Sequence, residues 1–354
     1  MRACILLHHT KLQTTCINFC NPLAKFLIIR FSSIGDIVLT TPVIRCLRKK
    51  FPDAQIHFLT KQSFKNIIAS NPYVDKIHTL GDSFELMLHE LKTEEYDYII
   101  DLHHNLRTLR IKRFLKNVKS FSFNKLNVEK FIYTSFKINT LPKKHIVDRN
   151  IEAVAALGLV NDDLGLDYFI PETDKIKKGD IPTSHLLGYI AVVIGAALAT
   201  KKMPLHKLKE LYAAINYPII LLGDKNDYED GKAIAAVDDI KVYNACGKFN
   251  LNESADIIRN AKLVVTHDTG LMHIAAALQK PIISVWGNTV PEFGMYPYYG
   301  KLSSQQYDVV AINKLWCRPC SKIGYDKCPK GHFKCMELIA VNEIVNMVNL
   351  RLGK

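Results

Sequence analysis

The stretch KFLIIRFSSIGDIVLTTPVIRCLRKKFPDAQIHFLT, residues 25–60, carries the pattern from which the architecture can be predicted. Its apolar run at 26–31 predicts a buried strand, and residues 36–50 predict a helix in which Pro42 requires a late start or a kink. A second short apolar run, 56–60, predicts another strand. A strand, a helix and a strand in this order are typical of parallel strands joined by a right-handed crossover, which places their carboxyl ends at one edge of the sheet.

The same alternation continues through both halves of the chain. Short apolar runs predict strands at 76–80 and 98–102 and, after the polar segment IPETDKIKKGDIPTSH (170–185), at 189–194, 219–222, 262–266 and 282–286. The sequence therefore predicts an α/β protein with two similar doubly wound domains that face each other across a cleft. We expect the chain to divide into a poorly ordered extension (1–24), a first domain (25–175), a second domain (186–335) and an amphipathic C-terminal helix (336–354).

The composition is that of a globular protein with an uneven surplus of positive charge. Hydrophobic residues make up 48% of the 354 residues, and the formal net charge is +13. Residues 101–150 alone hold twelve lysines and arginines against three acids. Such a block attracts phosphates, acidic sugars or an anionic membrane surface, and the alternative is a solvated face. Five of the nine cysteines are scattered without pattern, which is typical of a reducing cytoplasm.

The turn after the first strand carries two serines, a glycine and an acid. A G-x-G-x-x-G dinucleotide fingerprint does not follow this strand. Gly35 allows a ligand to approach the backbone closely. Asp36 either caps the following helix or faces a bound substrate, and the residues alone favour capping.

The second half contains a turn suited to a diphosphate, within VVTHDTGLMHIAAALQKP (264–281). The free amides at the start of its helix, beside the Thr269 hydroxyl, form an anion site. His273 lies one helical turn further and is either a core residue or a further donor. Two lysines, Lys201 and Lys202, follow a Gly/Ala-rich turn and are either phosphate counter-ions or a solvated pair. Asp227, shortly after a strand, is placed to bind ribose hydroxyls.

Four cysteines cluster near the end of the chain, in WCRPCSKIGYDKCPKGHFKCM (316–336). Cys317, Cys320, Cys328 and Cys335 supply enough thiolates for a tetrahedral structural zinc. Reduced thiols or a disulfide are the alternatives.

Several of these segments together resemble the heptosyltransferases of lipopolysaccharide core synthesis, glycosyltransferase family nine. The resemblance rests on FLIIRFSSIGDIVLTTPVIRCLRKKFPDAQIHFLT, NPYVDKI, DLHHNLRT, TKKMP and HDTGLMHIAAALQKPIISVWG, and it extends from about residue 25 to the end. It implies the GT-B fold, with two facing Rossmann-like domains. It also implies an inverting, metal-independent transfer of a heptose from an ADP-activated donor to a lipid-linked sugar.

The resemblance assigns roles to individual residues. Asp36 matches the general base, Lys201 the lysine at the donor phosphates, and Asp227 a position at the nucleotide ribose where the family commonly has glutamate. The donor-binding turn corresponds to Asp268, Thr269, Gly270 and His273. On the acceptor side we expect Ser32, Ser33, Gly35, Asn105, Arg107 and Arg149.

The implied partners are an ADP-sugar, an anionic lipid-linked saccharide and the inner face of the cytoplasmic membrane, where we expect a cytoplasmic enzyme to bind peripherally without a catalytic cofactor. The rival interpretations are a GT-B transferase that uses another nucleotide sugar and a nucleic-acid-binding protein. The second rival would explain the charge, but the basic block lacks a recognisable nucleic-acid-binding motif, so no nucleic-acid partner is expected.

Overall fold

The computed structural model describes residues 24–81, 83–301 and 307–354. The extension predicted at 1–24 therefore lies outside the described residues, except for Ala24. The first of two sheets is fully parallel, with strand order β3-β2-β1-β4-β5. Its strands are β1 (Lys25–Ile29), β2 (Gln55–Lys61), β3 (Lys76–Leu80), β4 (Tyr98–Asp101) and β5 (Lys119–Ser122).

The second sheet is also parallel and has the order β11-β10-β9-β6-β7-β8. Its strands are β6 (Ile190–Val193), β7 (Ile219–Leu222), β8 (Val242–Asn244), β9 (Leu263–His267), β10 (Ile282–Trp286) and β11 (Tyr307–Ala311). Two parallel-sheet domains in an α/β chain confirm the predicted fold class. The domain boundaries given above stay a prediction.

Helices cover the sheets. Those that follow strands of the first sheet are α1 (Ile34–Val38), α2 (Thr41–Lys50), α3 (Phe84–Thr93), α4 (Leu106–Phe114), α5 (Asn127–Phe136) and α6 (Ile146–Glu152). The remainder are α7 (Leu205–Ala214), α8 (Tyr228–Ala235), α9 (Leu251–Asn260), α10 (Gly270–Ala277), α11 (Lys334–Glu337) and α12 (Val341–Arg351). None of these helices is long and apolar enough to span a membrane.

Apolar side chains pack on both faces of each sheet. In β1, Phe26 and Ile28 belong to one hydrophobic cluster, whereas Leu27 belongs to another on the opposite face. This is the packing that a parallel strand buried on both sides requires, because its side chains alternate between the faces. The cluster around Phe26 continues to Ala191 of β6, so the two domains share a continuous apolar contact.

The structure differs from the sequence-based expectation in two regions. The helix expected at 36–50 is two helices, because Pro42 lies at the start of α2, where its missing N–H costs no hydrogen bond. The segment 101–150 contains α4, β5, α5 and α6, although its charged sequence shows little apolar periodicity. Helix α5 has apolar residues at helical spacing, Val128, Phe131 and Phe136, but none of its residues is buried.

The C-terminal helix forms as expected and packs on the second domain. Its buried side chains are Val341, Ile344 and Val348, and it contacts α7 and β10.

Candidate active site

The candidate site lies where α1 of the first domain crosses α10 of the second. At this crossing, the imidazole of His273 packs directly on Gly35, since a Cβ atom on Gly35 would lie 2.4 Å from its Cδ2. A Cβ atom on Gly270 would in turn lie 2.7 Å from the Cβ of Ile34. Both glycines are needed for this approach, because a methyl group at either position would separate the helices. The turn after β1 therefore meets the turn after β9. The two turns were predicted from separate sequence motifs.

Asp36 is held by Arg30 and Ser33. Its Oδ1 accepts from Nη2 of Arg30 at 2.6 Å, and its Oδ2 accepts from both the backbone N and the Oγ of Ser33, at 3.2 and 3.0 Å. Burial alone would raise the pKa of this carboxyl, but the charge of Arg30 and these hydrogen bonds outweigh it, so the pKa lies below its ordinary value of 3.8. Asp36 is therefore ionised at neutral pH.

The geometry of Asp36 is compatible with both interpretations of this residue, as a cap of α1 and as a group that faces a substrate. Ser33 stands at the N-cap of α1 and Asp36 three residues later, so its carboxylate closes the first turn on the Ser33 backbone N–H. The negative charge of the same carboxylate acts, against burial, to raise the pKa of His273 in the other domain. The carboxylate therefore lies beside the crossing of α1 and α10. A capping contact thus also holds the charge at the cleft.

Lys201 and Asp268 form an ion pair at the edge of the second sheet. The Nζ of Lys201 lies 2.7 Å from Oδ2 of Asp268, which also accepts from Oγ1 of Thr289 at 2.8 Å. The ammonium group thus sits beside the turn that precedes α10, and only about a fifth of its side chain is exposed. A cation held at a helix start is suited to a diphosphate.

Thr269 and His273 complete this turn. Thr269 is the N-cap of α10, and its Oγ1 lies 3.3 Å from Oγ1 of Thr266. His273 is buried, and its Nδ1 has no hydrogen-bond partner among the described residues. Burial lowers the pKa of His273 to about 4, so the ring is neutral and offers one N–H donor.

Asp227 is buried between the carboxyl ends of β6 and β7. Its Oδ2 accepts from the backbone N of Asp224 at 3.0 Å, and its Oδ1 pairs with Lys202. It also packs against Gly195 and Gly223, where a Cβ atom would clash with its carboxylate. Both oxygens are therefore occupied by the protein itself, and contact with a ribose stays a prediction.

The expected acceptor-side residues do not form one cluster. Ser32 and Ser33 stand beside Asp36, and the carbonyl of Ser32 accepts from Nε of Arg30 at 2.8 Å. Asn105 caps α4, where its Oδ1 accepts from the backbone N of Thr108. Arg107 is exposed and lines a cavity of about 440 Å³ between α3 and α4, together with Leu80, Gly81, Phe84, Leu106 and Arg110.

Arg149 is buried with part of its guanidinium unpaired. Its Nη2 donates to the carbonyl of Phe293 in the second domain at 2.9 Å, whereas Nε and Nη1 have no hydrogen-bond partner within the described part of the chain. Burial lowers the pKa of the Arg149 guanidinium. Lys130 of α5 lies over the Phe293 ring, and burial together with the charge of Arg149 lowers its pKa to about 8. The two cations are crowded and short of counter-ions.

The cysteine-rich segment reaches from the second domain to α5. Nζ of Lys137 donates to the carbonyl of Pro319 at 2.8 Å, and Nζ of Lys322 lies 3.5 Å from Oδ1 of Asn127. The four thiols are free. Burial and the neighbouring thiols raise the pKa of Cys320 to about 11 and that of Cys335 to about 12. Among the described residues, the thiol sulfurs do not form a group of three or more within 4.8 Å of one another, so a structural zinc is not shown here.

Sequence reasoning missed three residues of the site. Arg30 directly follows β1, but nothing in its surroundings in the sequence shows that it pairs with Asp36. Thr289 follows β10 at the same sheet edge as Asp268, and this position is the signal that was available. Lys322 comes close to α5 only through the tertiary fold.

Comparisons with known proteins show which family this chain is similar to. The model of the family described as glycosyltransferase family 9 (heptosyltransferase) matches residues 86–328. The chain is 27% identical over 295 residues to lipopolysaccharide heptosyltransferase 1 of Campylobacter coli, covering 75% of this chain and 84% of that protein. It is 29% identical, again over 295 residues, to lipooligosaccharide heptosyltransferase 2 of Haemophilus influenzae, covering 76% and 85%. Among solved structures, that of Escherichia coli ADP-heptose LPS heptosyltransferase II superposes with a TM-score of 0.72 at 20% identity, covering 93% of this chain and 98% of that one.

Proposed function

Because this chain belongs to glycosyltransferase family 9, the heptosyltransferase family, we propose that it transfers a heptose from an ADP-activated donor to a sugar of the lipopolysaccharide inner core. The proposed transfer inverts the configuration of the heptose and needs no metal ion. The donor is supported by the similarity to heptosyltransferases, one of which is described as acting with ADP-heptose.

The observation that carries this proposal is the meeting of α1 and α10. It places an ionised carboxylate, Asp36, beside a turn that offers Lys201 and free helix-start amides. A base for the acceptor and a grip for a diphosphate leaving group are the two groups that transfer from a nucleotide sugar requires.

In the proposed reaction, the acceptor hydroxyl oxygen attacks the anomeric carbon from the side opposite the diphosphate. The new C–O bond forms as the bond to the ADP oxygen breaks, and the electron pair leaves with ADP. The hydroxyl proton passes to Asp36. Lys201 and the amides at the start of α10 stabilise the negative charge that develops on the departing diphosphate. A single displacement of this kind inverts the anomeric centre.

The low pKa of Asp36 is compatible with this role. An acceptor hydroxyl becomes strongly acidic only as its bond to carbon forms, so a weak base can take the proton late in the step. In this state Arg30 keeps the carboxylate ionised and aimed. Loss of water around Asp36 on substrate binding would increase its basicity.

The crowded cations support an anionic acceptor. The charges that lower the pKa of Lys130 are Arg149, Lys322 and Arg30, and Asp36 is the acid that acts against them. A phosphate or a sugar carboxylate bound there would satisfy the unpaired nitrogens of Arg149. The acceptor hydroxyl would then lie close to Asp36.

Peripheral binding to the inner face of the cytoplasmic membrane fits the surface of α5 and the residues after it. Four apolar side chains are exposed there, at Val128, Phe131, Phe136 and Ile138. Exposed lysines at 137, 143 and 144 accompany them. Apolar side chains among lysines are suited to an anionic bilayer surface.

A structural metal in the cysteine-rich segment also belongs to the proposal. After burial, the charges of Cys320, Cys328 and Cys317 are among the causes that raise the pKa of Cys335, which supports a common location for the four thiols. A bound zinc would draw the sulfurs together and fix the segment that touches α5.

A transfer assay tests the proposed function. The purified protein is mixed with ADP-heptose and a core glycolipid that lacks heptose, and we expect mass spectrometry to show the addition of one heptose. ADP should raise the melting temperature, whereas NAD and DNA should not. Transfer from another nucleotide sugar but not from ADP-heptose would refute the donor, and stabilisation by DNA alone would favour a nucleic-acid-binding protein.

A further inference from the structure

Two buried histidines, a glutamate and a tyrosine converge in the first domain, away from Asp36. His57 stands on β2 and His78 on β3, while Glu94 and Tyr96 lie between α3 and β4. His57 pairs in register with the first residue of β3, so the cluster lies toward the amino end of that strand. Ligands of such folds bind at the opposite edge, near the carboxyl ends. The proposed transfer does not use this cluster.

The candidate ligand atoms lie 2.9–3.7 Å apart, a range that brackets the ligand spacing of a small tetrahedral site, and the Tyr96 hydroxyl is hydrogen-bonded to both imidazoles. Nδ1 of His57 and Nε2 of His78 are 3.4 Å apart, and the Tyr96 hydroxyl lies 2.9 and 3.0 Å from them. Each of these nitrogens is 3.7 Å from a carboxylate oxygen of Glu94. Metal bonds of about 2.0–2.1 Å place two ligands of a tetrahedral zinc site roughly 3.3–3.4 Å apart.

The residue types are those that Zn²⁺ prefers, since two imidazoles and one carboxylate are common ligands of this ion. Both histidine side chains are buried, and the Glu94 side chain is 14% exposed.

We propose that His57, His78 and Glu94 form a zinc site, with the Tyr96 hydroxyl at the fourth corner. The bound ion would connect β2 and β3 to the segment between α3 and β4, and its role would be structural because it lies far from the reacting groups. Lys25 and Lys76 balance Glu94 when the ion is absent. The Lys76 side chain is 54% exposed and can turn into solvent when the ion binds.

Equilibrium dialysis against zinc tests this site in the full chain. We compare the unaltered protein with His78→Gln, Glu94→Gln and, as a matched control, His89→Gln, which removes an exposed imidazole from α3. The unaltered protein and His89→Gln should bind one more zinc per chain than His78→Gln. Because every variant keeps all the cysteines, the difference excludes zinc held by the cysteine-rich segment. Equal zinc content in the unaltered protein and His78→Gln would overturn the proposal.

Two further variants keep the test decisive if His78→Gln does not fold. Glu94→Gln alters a partly exposed side chain and should weaken zinc binding about tenfold or more. Lys76→Gln removes a competing cation and should tighten it. A cluster that only satisfies its own hydrogen bonds would respond to neither change, and that result would equally overturn the proposal.

Discussion

At the scale of single residues, Arg30 sets the basicity of Asp36. The two side chains form an ion pair of 2.6 Å, and this pair contributes to the lowered pKa of the carboxyl. We expect Arg30→Gln to raise the pKa of Asp36, because burial then acts unopposed by a positive charge. The acidic limb of the pH profile of kcat/KM should move to higher pH with it. An unmoved limb would show that this pair does not tune the base.

A substitution of Gly35 tests how closely α1 and α10 must approach each other. A Cβ atom there would meet the His273 ring at 2.4 Å, and overpacking of this kind costs about 1–3 kcal/mol. We therefore expect Gly35→Ala to lower kcat/KM roughly tenfold to a hundredfold. Gly179→Ala is the matched control, since nothing lies within 4 Å of its added Cβ. Equal activity of the two variants would mean that the crossing is not needed for transfer.

Replacement of Arg149 should weaken acceptor binding without lowering the stability of the fold. Because two of its buried nitrogens are unpaired, removing its charge removes a desolvation cost. We expect Arg149→Met to unfold at a melting temperature no lower than that of the unaltered protein, but to show a higher KM for the glycolipid acceptor. Its affinity for ADP should not change. A raised KM for the donor with an unchanged KM for the acceptor would refute the acceptor role.

At the scale of elements, α5 is the part of the fold that was hardest to predict from the sequence. Strands such as β7 and β10 were predicted from apolar runs because they are buried on both faces. Helix α5 buries no residue: its apolar side chains at Val128, Phe131 and Phe136 have helical spacing but are exposed, so they do not mark a core element. The residues on either side of the cleft could be predicted because they belong to short motifs that are local in the sequence. These residues are Gly35, Asp36 and the turn at 268–270. The pairing of Arg30 with Asp36 depends on how the turn after β1 folds, and the approach of Lys322 to α5 depends on a tertiary contact, so no sequence motif marks either of them.

The exposed apolar side chains of α5 make membrane binding testable. We expect Phe131→Ser to reduce co-sedimentation with vesicles that contain anionic lipid, because burial of this ring in the lipid interface is lost. Ile240→Ser, which replaces an exposed apolar residue of the second domain, serves as the control. Binding to anionic vesicles should also weaken as salt is added. Binding of both variants like the unaltered protein, at any salt concentration, would contradict peripheral contact through α5.

At the scale of the whole molecule, two parallel-sheet domains present their carboxyl-end turns to each other. The fold class followed from the alternation of strands and helices. The contact between Gly35 and His273 did not, because residues so far apart in the chain meet only through the packing of the domains. In the proposed transfer, the second domain holds the leaving group while the first domain supplies the base.

The most direct measurement compares transfer with donor-product binding in Asp36→Asn, which keeps the shape of the side chain and removes its charge. We expect kcat to fall roughly 10²–10⁴-fold while the dissociation constant for ADP stays unchanged. Asp53→Asn, at an exposed position of the same domain, should retain full activity. Substantial turnover by Asp36→Asn would contradict the assignment of the base.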